Sequence, residues 1–174
     1  IDEECTRILA KRQPAATDLR MILSISKAVG ELERMGDEAK KIANHALKLI
    51  NEGESPRGYV EISRIGQLVT RMVRESLDAY ARLDIDLAVS VAKADRTVDL
   101  EYKTAIRSLI TYMMEDPRSI GRVFNVIWIL RSLERIGDHS RSLCQHLVYL
   151  INGVNVRHIP AEQLEKVAQD DKKI

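Results

Sequence analysis

The sequence predicts an all-α fold of tandem three-helix bundles, the first of them incomplete. Aliphatic residues recur at helical spacing through long segments, while aromatic residues make up only 4% of the chain. This pattern is typical of helices that pack through aliphatic faces. A segment that begins at residue 32 also recurs at residue 133, and self-similarity at a fixed distance is typical of duplicated structural units.

The repeat is specific in its polar residues. The two copies lie 101 residues apart and read Leu32-Glu33-Arg34-Met35-Gly36-Asp37 and Leu133-Glu134-Arg135-Ile136-Gly137-Asp138. The match continues to His45 with His146, and to Leu49-Ile50-Asn51 with Leu150-Ile151-Asn152. Chance similarity between amphipathic helices would match apolar classes but hardly Glu, Arg, Gly, Asp, His and Asn together. We therefore infer a duplicated unit.

The first unit, residues 1–52, is predicted to be partial. Residues 1–12 read as the end of a second helix, a break follows at Gln13-Pro14, and a third helix extends from about Asp18 to Asn51. Because helical sequence begins at Ile1, with no Met and no cap ahead of it, we expect further sequence upstream.

The second unit, residues 57–155, is predicted to be complete. Its helices are expected over residues 59–82, from an N-cap at Asp84 or Asp86 to about Met114, and from a turn at Glu115-Asp116-Pro117 to Asn152. Gly153 would stop the third helix, because Gly readily adopts the left-handed conformation found after helix C-termini. Three long helices with short connections predict an up-down-up bundle. Residues 156–174 are expected to form a polar tail with at most a short helix.

Composition argues against several classes of protein. Charged residues make up 30% of the chain but give a formal net charge of only +1, whereas a nucleic-acid binder usually carries a clustered basic excess. The longest clear apolar run, Val126–Leu130, falls far short of the ~18 residues needed to cross a bilayer, so membrane contact is expected only through partners. No secretory signal pattern is evident, and Cys5 and Cys144 stand in separate segments. A reducing cytoplasm is therefore expected.

Four acidic residues are predicted to meet between the second and third helices of the second unit. Asp95 falls near the middle of the apolar stripe of the second helix, and Asp99 follows one turn later. Glu134 and Asp138 line the edge of the apolar face of the third helix. Burial of an unpaired carboxylate costs on the order of several kcal/mol, so a positive charge should meet them. Oxygen ligands in this arrangement suit divalent or trivalent cations, including carboxylate-bridged clusters.

An ion-pair network is the alternative to a metal site. Helical proteins rich in Glu and Arg often form such pairs, and four arginines are candidates for the positive charge: Arg34, Arg96, Arg135 and Arg141. Glu33 and Asp37 occupy the equivalent edge in the first unit. The residues alone leave the metal and ion-pair interpretations open.

A glycine stands next to the aspartate in both copies of the motif. A Gly in mid-helix costs about 1 kcal/mol relative to Ala, yet Gly36 and Gly137 are both kept. Close approach of a neighbouring helix, room for an ion cluster, or a shared ancestral packing contact would explain the pair.

Phe124 and Trp128 mark a candidate surface for a partner or for self-association. They are the only Phe and the only Trp of the chain, and they lie four residues apart on the side of the third helix opposite its core face. Exposed aromatic residues at this spacing often mark binding surfaces. Coverage by the other unit is the alternative.

No catalytic grouping is evident. The Ser, Cys and His residues form no nucleophile-base arrangement that their spacing supports, and the Glu-x-x-His spacing of ferritin-like bundles is absent. We expect His139 to face outward, and His45 and His146 to lie at the surface or its boundary.

Several segments resemble the PhoU family. The first repeat of that family is similar to the segment from Arg12-Gln13-Pro14 through Asp18-Leu19-Arg20 to the first motif copy. The second is similar to Asp95-Arg96-Thr97-Val98-Asp99, Tyr112-Met113-Met114-Glu115-Asp116 and the second motif copy. The resemblance extends to about His158.

The resemblance implies two PhoU domains of three helices each, in a non-enzymatic cytoplasmic protein that is often a homodimer. It implies an adaptor that links the ATPase subunit of the phosphate ABC transporter to a sensor histidine kinase. Such a protein keeps the phosphate-starvation response off when phosphate is ample.

The resemblance also implies multinuclear iron or zinc clusters on (E/D)xxxD pairs, which some family members hold. One cluster would use Asp95, Asp99, Glu134 and Asp138. Glu33 and Asp37 would form half of another, with the partner pair expected upstream of Ile1. A carboxylate-bridged metalloenzyme, such as a phosphohydrolase or an oxidase, is the alternative function from a different class.

Overall fold

The structure is a computed structural model that describes residues 1–51 and 59–156. These residues form five α-helices and one short 3₁₀ helix, with no strand among them. The elements are α1 (Asp2–Arg12), α2 (Ala16–Asn51), α3 (Tyr59–Arg82), α4 (Ile85–Glu115), the 3₁₀ helix (Pro117–Ser119) and α5 (Ile120–Asn152). The all-α prediction is confirmed. In the described part of the chain, each helix is either too short or too polar to cross a membrane.

The helix ends follow the signals in the sequence. The carboxylate of Asp84 accepts a hydrogen bond from the backbone N–H of Leu87 at 2.9 Å, so Asp84 rather than Asp86 caps α4. Gly153 adopts a left-handed conformation with φ of 72° and donates its N–H to the carbonyl of Tyr149. α1 ends before Gln13-Pro14, as expected from the proline.

One aliphatic core joins the helices. The helices α3, α4 and α5 pack pairwise against one another as a three-helix bundle, and Val98, Leu130 and Leu147 are among the residues buried completely between them. α2 adds Met35 and Leu49 to the same core. Each buried aliphatic side chain stabilises the fold by roughly 1.5–3 kcal/mol, so the bundle is a firm support for the polar groups it carries.

α2 and α5 carry the two motif copies and lie antiparallel along each other. The Ser24 hydroxyl donates to the backbone carbonyl of His146 at 3.3 Å. The equivalent residues of the opposite copies, Asn125 and His45, also meet, with 2.9 Å between Asn125 Oδ1 and His45 Nδ1. Each contact joins a position of one copy to the same position of the other copy, with the roles of the two copies exchanged. Such reciprocal contacts indicate an approximate two-fold axis between the helices, as in an interface between two copies of one unit.

The described residues end at the first position of the predicted tail. Val156, which the prediction placed at its first position, is buried against Val89 and Val148. Residues 157–174, which hold the rest of the predicted tail, lie outside the described residues. Residues 52–58, where the first predicted unit ends and the second begins, also lie outside the described residues.

Candidate functional site

Asp95 is a carboxylate buried inside the three-helix bundle. It lies on the core face of α4, as the helical wheel predicted, and is only 2% exposed. Gly137 of α5 faces it directly, because a Cβ atom at Gly137 would lie 3.4 Å from Asp95 Oδ1. The mid-helix glycine therefore allows the carboxylate to approach the backbone of α5. Of the explanations for Gly137, close approach of a neighbouring helix is the one that the structure supports.

Arg141 supplies the positive charge that meets Asp95. Its Nη1 lies 3.1 Å from Asp95 Oδ2, and its Nη2 lies 3.0 Å from Asp138 Oδ1. One guanidinium group thus joins carboxylates from α4 and α5. Its Nε is buried and makes no hydrogen bond within the described residues. Arg141 was one of the four arginines that the ion-pair interpretation named.

Glu134 has an arginine partner of its own. Nη1 of Arg131 lies 2.7 Å from both carboxylate oxygens of Glu134. Arg131 was not among the expected partners, and the first copy has Gly30 at the equivalent position. The expected Arg135 instead binds Glu38 of α2, at 3.0 Å from Nη1 to Oε1.

The four predicted carboxylates act on one another electrostatically. Burial raises the pKa of Asp95 to about 6. The positive charge of Arg141 lowers this pKa, while the negative charges of Asp138, Asp99 and Glu134 raise it further. Burial also raises the pKa of Glu134, which Arg131 opposes and Asp138 and Asp99 reinforce. The structure therefore brings the four acids of the second unit into one neighbourhood.

The side chains as placed do not fit a metal cluster. Across residues 1–51 and 59–156, no group of three or more His, Cys, Asp or Glu side chains is arranged to hold a metal ion. The guanidinium of Arg141 contacts an oxygen of Asp95 and an oxygen of Asp138, two of the predicted ligands. Glu33 and Asp37 of the first copy are exposed on α2. Iron or zinc binding by these six residues stays a prediction.

The interface between α2 and α5 holds a Glu–His cluster that the sequence did not reveal. His139 Nδ1 lies 2.7 Å from Glu31 Oε2, and His146 Nε2 lies 3.5 Å from Glu31 Oε1. Burial alone would raise the pKa of Glu31, but the hydrogen bonds with His146 and His139 outweigh it and the pKa is lowered. The expectations of an outward His139 and a boundary His146 are wrong, because α2 covers both and His146 is 4% exposed.

Phe124 and Trp128 remain accessible on α5. They are 51% and 53% exposed. The ring of Trp128 stacks on His45 of α2, with 6.1 Å between ring centroids. The first unit therefore covers one face of the indole and leaves the rest open. This partial contact does not test whether Phe124 and Trp128 bind a partner or a second copy of the chain, so that surface stays a prediction.

The fold and the duplicated motif define a repeat-containing helical-bundle protein. The sequence model of the PhoU domain matches residues 1–46 and 62–147, one segment in each of the predicted units. The chain belongs to the PhoU family.

Individual relatives extend this result. The chain is 61% identical over 172 residues to the phosphate-specific transport system accessory protein PhoU homolog of Pseudomonas aeruginosa. The aligned residues make up 99% of this chain and 71% of that protein. It is similar to the crystal structure of PhoU from Pseudomonas aeruginosa, with a TM-score of 0.86, 65% identity, and coverage of 88% of this chain and 73% of the other.

A more distant structure has the same fold. The crystal structure of the phosphate transport system regulatory protein PhoU from Streptococcus pneumoniae gives a TM-score of 0.79 at 31% identity, over 88% of this chain and 71% of the other. The relatives carry the names of accessory and regulatory proteins. The prediction that the chain is not an enzyme is confirmed on this ground, and the metalloenzyme alternative is wrong.

Proposed function

We propose that this chain is a cytoplasmic accessory protein of phosphate uptake and a negative regulator of phosphate-starvation signalling. It acts as an adaptor between the ATPase subunit of the phosphate ABC transporter and a sensor histidine kinase. The observation that carries the proposal is the 61% identity, across 99% of the chain, to a protein named as an accessory of the phosphate-specific transport system. The link to the kinase rests on the family resemblance of the motifs.

A reporter strain tests the regulatory role. A strain that lacks its own copy of the gene, and carries a phosphate-starvation reporter, is grown in phosphate-rich medium with and without the full-length protein. We expect the reporter to be on without the protein and off with it. A reporter that stays on in both strains, at equal protein levels, would remove the regulatory proposal.

The surface formed by Phe124 and Trp128 is proposed to contact the kinase. Both rings are about half exposed, and stacking on His45 holds the indole in one orientation. A pre-oriented aromatic side chain loses little conformational entropy on binding, which favours its use as an interface anchor. A second copy of the chain, as a homodimer, is the competing occupant.

A charge substitution tests this surface. Trp128→Glu is compared with Leu77→Glu, a control at a residue of α3 that is also exposed, at 41%. We expect Trp128→Glu to weaken binding to the purified kinase by at least about tenfold, as for an interface anchor, and Leu77→Glu to leave it unchanged. The measurements are calorimetric titration and sedimentation velocity. A change in oligomeric state alone would assign the surface to self-association, and no change in either measurement would show that it is not an interface.

Metal-binding acid pairs belong to the family resemblance, and iron or zinc clusters at the predicted carboxylates stay a separate prediction. In the described residues, Asp95, Glu134 and Asp138 form ion pairs with arginines.

A further inference from the structure

The guanidinium of Arg141 occupies the place between two facing carboxylates. Its two terminal nitrogens lie 3.1 and 3.0 Å from oxygens of Asp95 and Asp138. A metal ion bound to both oxygens would lie about 2.0–2.6 Å from each of them. The two cations cannot occupy this space together, so either the guanidinium or a metal ion balances the carboxylates.

Asp95 and Asp138 share the guanidinium of Arg141 as a counter-ion. Asp95 is 2% exposed, and its carboxylate forms an ion pair with Arg141 at 3.1 Å. Loss of the arginine would leave a site in which the buried Asp95 and the neighbouring Asp138 lack this guanidinium, while Arg131 still pairs with Glu134. Such a site favours a divalent cation with oxygen ligands.

The arginine belongs to the second copy alone. Lys40 stands at the equivalent position of the first copy and Gly30 at the position equivalent to Arg131. Lys40, Glu33 and Asp37 are all exposed on α2. Both copies contain the acids and the glycine, and they differ at the positions of Arg131 and Arg141.

We infer that Arg141 is a built-in counter-ion that excludes multivalent cations from Asp95 and Asp138. The guanidinium and a metal ion compete for the same two carboxylates, so removal of Arg141 opens a divalent-cation site in the second unit. This inference is independent of the proposed adaptor function.

The test is calorimetric titration of the full chain with Mn²⁺ and, separately, with Zn²⁺. We expect Arg141→Gln to bind one of these ions at least about tenfold more tightly than the unmodified protein. Lys40→Gln is the matched control at the equivalent position of the first copy and should gain no site. Adding Asp95→Asn to Arg141→Gln should abolish the gained site, which would place the ion at Asp95.

Circular dichroism establishes that each variant is folded. If Arg141→Gln does not fold, Arg141→Lys serves in its place, because a lysine keeps the charge but cannot bridge two carboxylates with a fork of donors; a smaller gain in affinity is expected. Two results would overturn the inference. One is tight, Asp95-dependent metal binding by the unmodified protein that the arginine substitution leaves unchanged. The other is a folded arginine variant without any gain in affinity.

Discussion

The two copies of the repeated motif have nearly the same sequence but different surroundings. In the second copy, Gly137 lies against the buried Asp95, whereas a Cβ atom at Gly36 of the first copy would meet nothing within 4 Å. The Glu134 side chain is 12% exposed beside its arginine partner, while Glu33 lies in the open on α2. The comparison shows that the motif sets where the acids stand along a helix, and that neighbouring helices decide what the acids do.

The two copies also differ at the positions that flank the motif on either side. Arg131 and Arg141 hold the carboxylates of the second copy, and the equivalent residues of the first copy are Gly30 and Lys40. Buried acids require compensation by a positive charge, whereas exposed acids are stabilised by water. The arginines therefore occur in the copy whose acids are enclosed.

We expect the largest difference in stability between the two copies when their glycines, Gly137 and Gly36, are replaced. Gly137→Leu would drive a side chain into Asp95, Val98 and Met72, whose atoms lie 3.4–3.7 Å from the Cβ position. We expect it to lower the free energy of unfolding by about 3 kcal/mol or more. Gly36→Leu should raise the free energy of unfolding by up to about 1 kcal/mol, since a helix prefers Leu to Gly and the space is open. Urea denaturation of both variants checks the contrast, and equal losses would show that the two sites are equally enclosed.

A smaller effect is expected in the pH dependence that Asp95 adds. Burial raises its pKa from the usual 3.8 to about 6 in the folded state, so the folded state binds its proton more tightly than the unfolded chain does. The stability that Asp95 contributes is therefore complete below about pH 4 and is lost as the pH rises through about 6, by about 2–3 kcal/mol. The measurement is the difference in free energy of unfolding between the unmodified protein and Asp95→Asn from pH 4 to 7. A flat difference would mean that Asp95 is not enclosed.

The smallest effect is expected from neutralising the acids on α2 and α5. Glu134→Gln with Asp138→Asn removes the carboxylate partner of Arg131 and one of the two carboxylate partners of Arg141. We expect this double substitution to lower the free energy of unfolding by about 1 kcal/mol. Glu33→Gln with Asp37→Asn alters an exposed face and should change it by less than about 0.5 kcal/mol. Thermal unfolding at low and high salt checks both pairs. A larger loss for the first-copy pair would reverse the comparison.

Much of the fold could be predicted because its signals are local. Helical periodicity gave the long elements, and the cap at Asp84, the break at Gln13-Pro14 and the stop at Gly153 gave their ends within about two residues. The burial of Asp95 followed from its place on the wheel of one helix. The 3₁₀ helix before α5 was missed, because such short turns have no periodicity to detect.

The contacts between helices could not be predicted in the same way. A helical wheel gives the direction of a side chain but not the register of the neighbouring helix. Glu31, His139 and His146 meet only because of how α2 lies along α5. Arg141 is a long side chain with several rotamers, so its choice of Asp95 and Asp138 depends on the packed bundle. The choice between a metal ion and an arginine was open for this reason.

Arg141 pairs with carboxylates of both α4 and α5, and we infer that it keeps a metal ion out of this place. The most direct test of this inference is an anomalous difference map at the zinc edge from crystals of the unmodified protein soaked with zinc. We expect no peak between Asp95 and Asp138, and the Arg141 guanidinium in contact with both. A peak bound by both carboxylates, with Arg141 turned away, would contradict this inference.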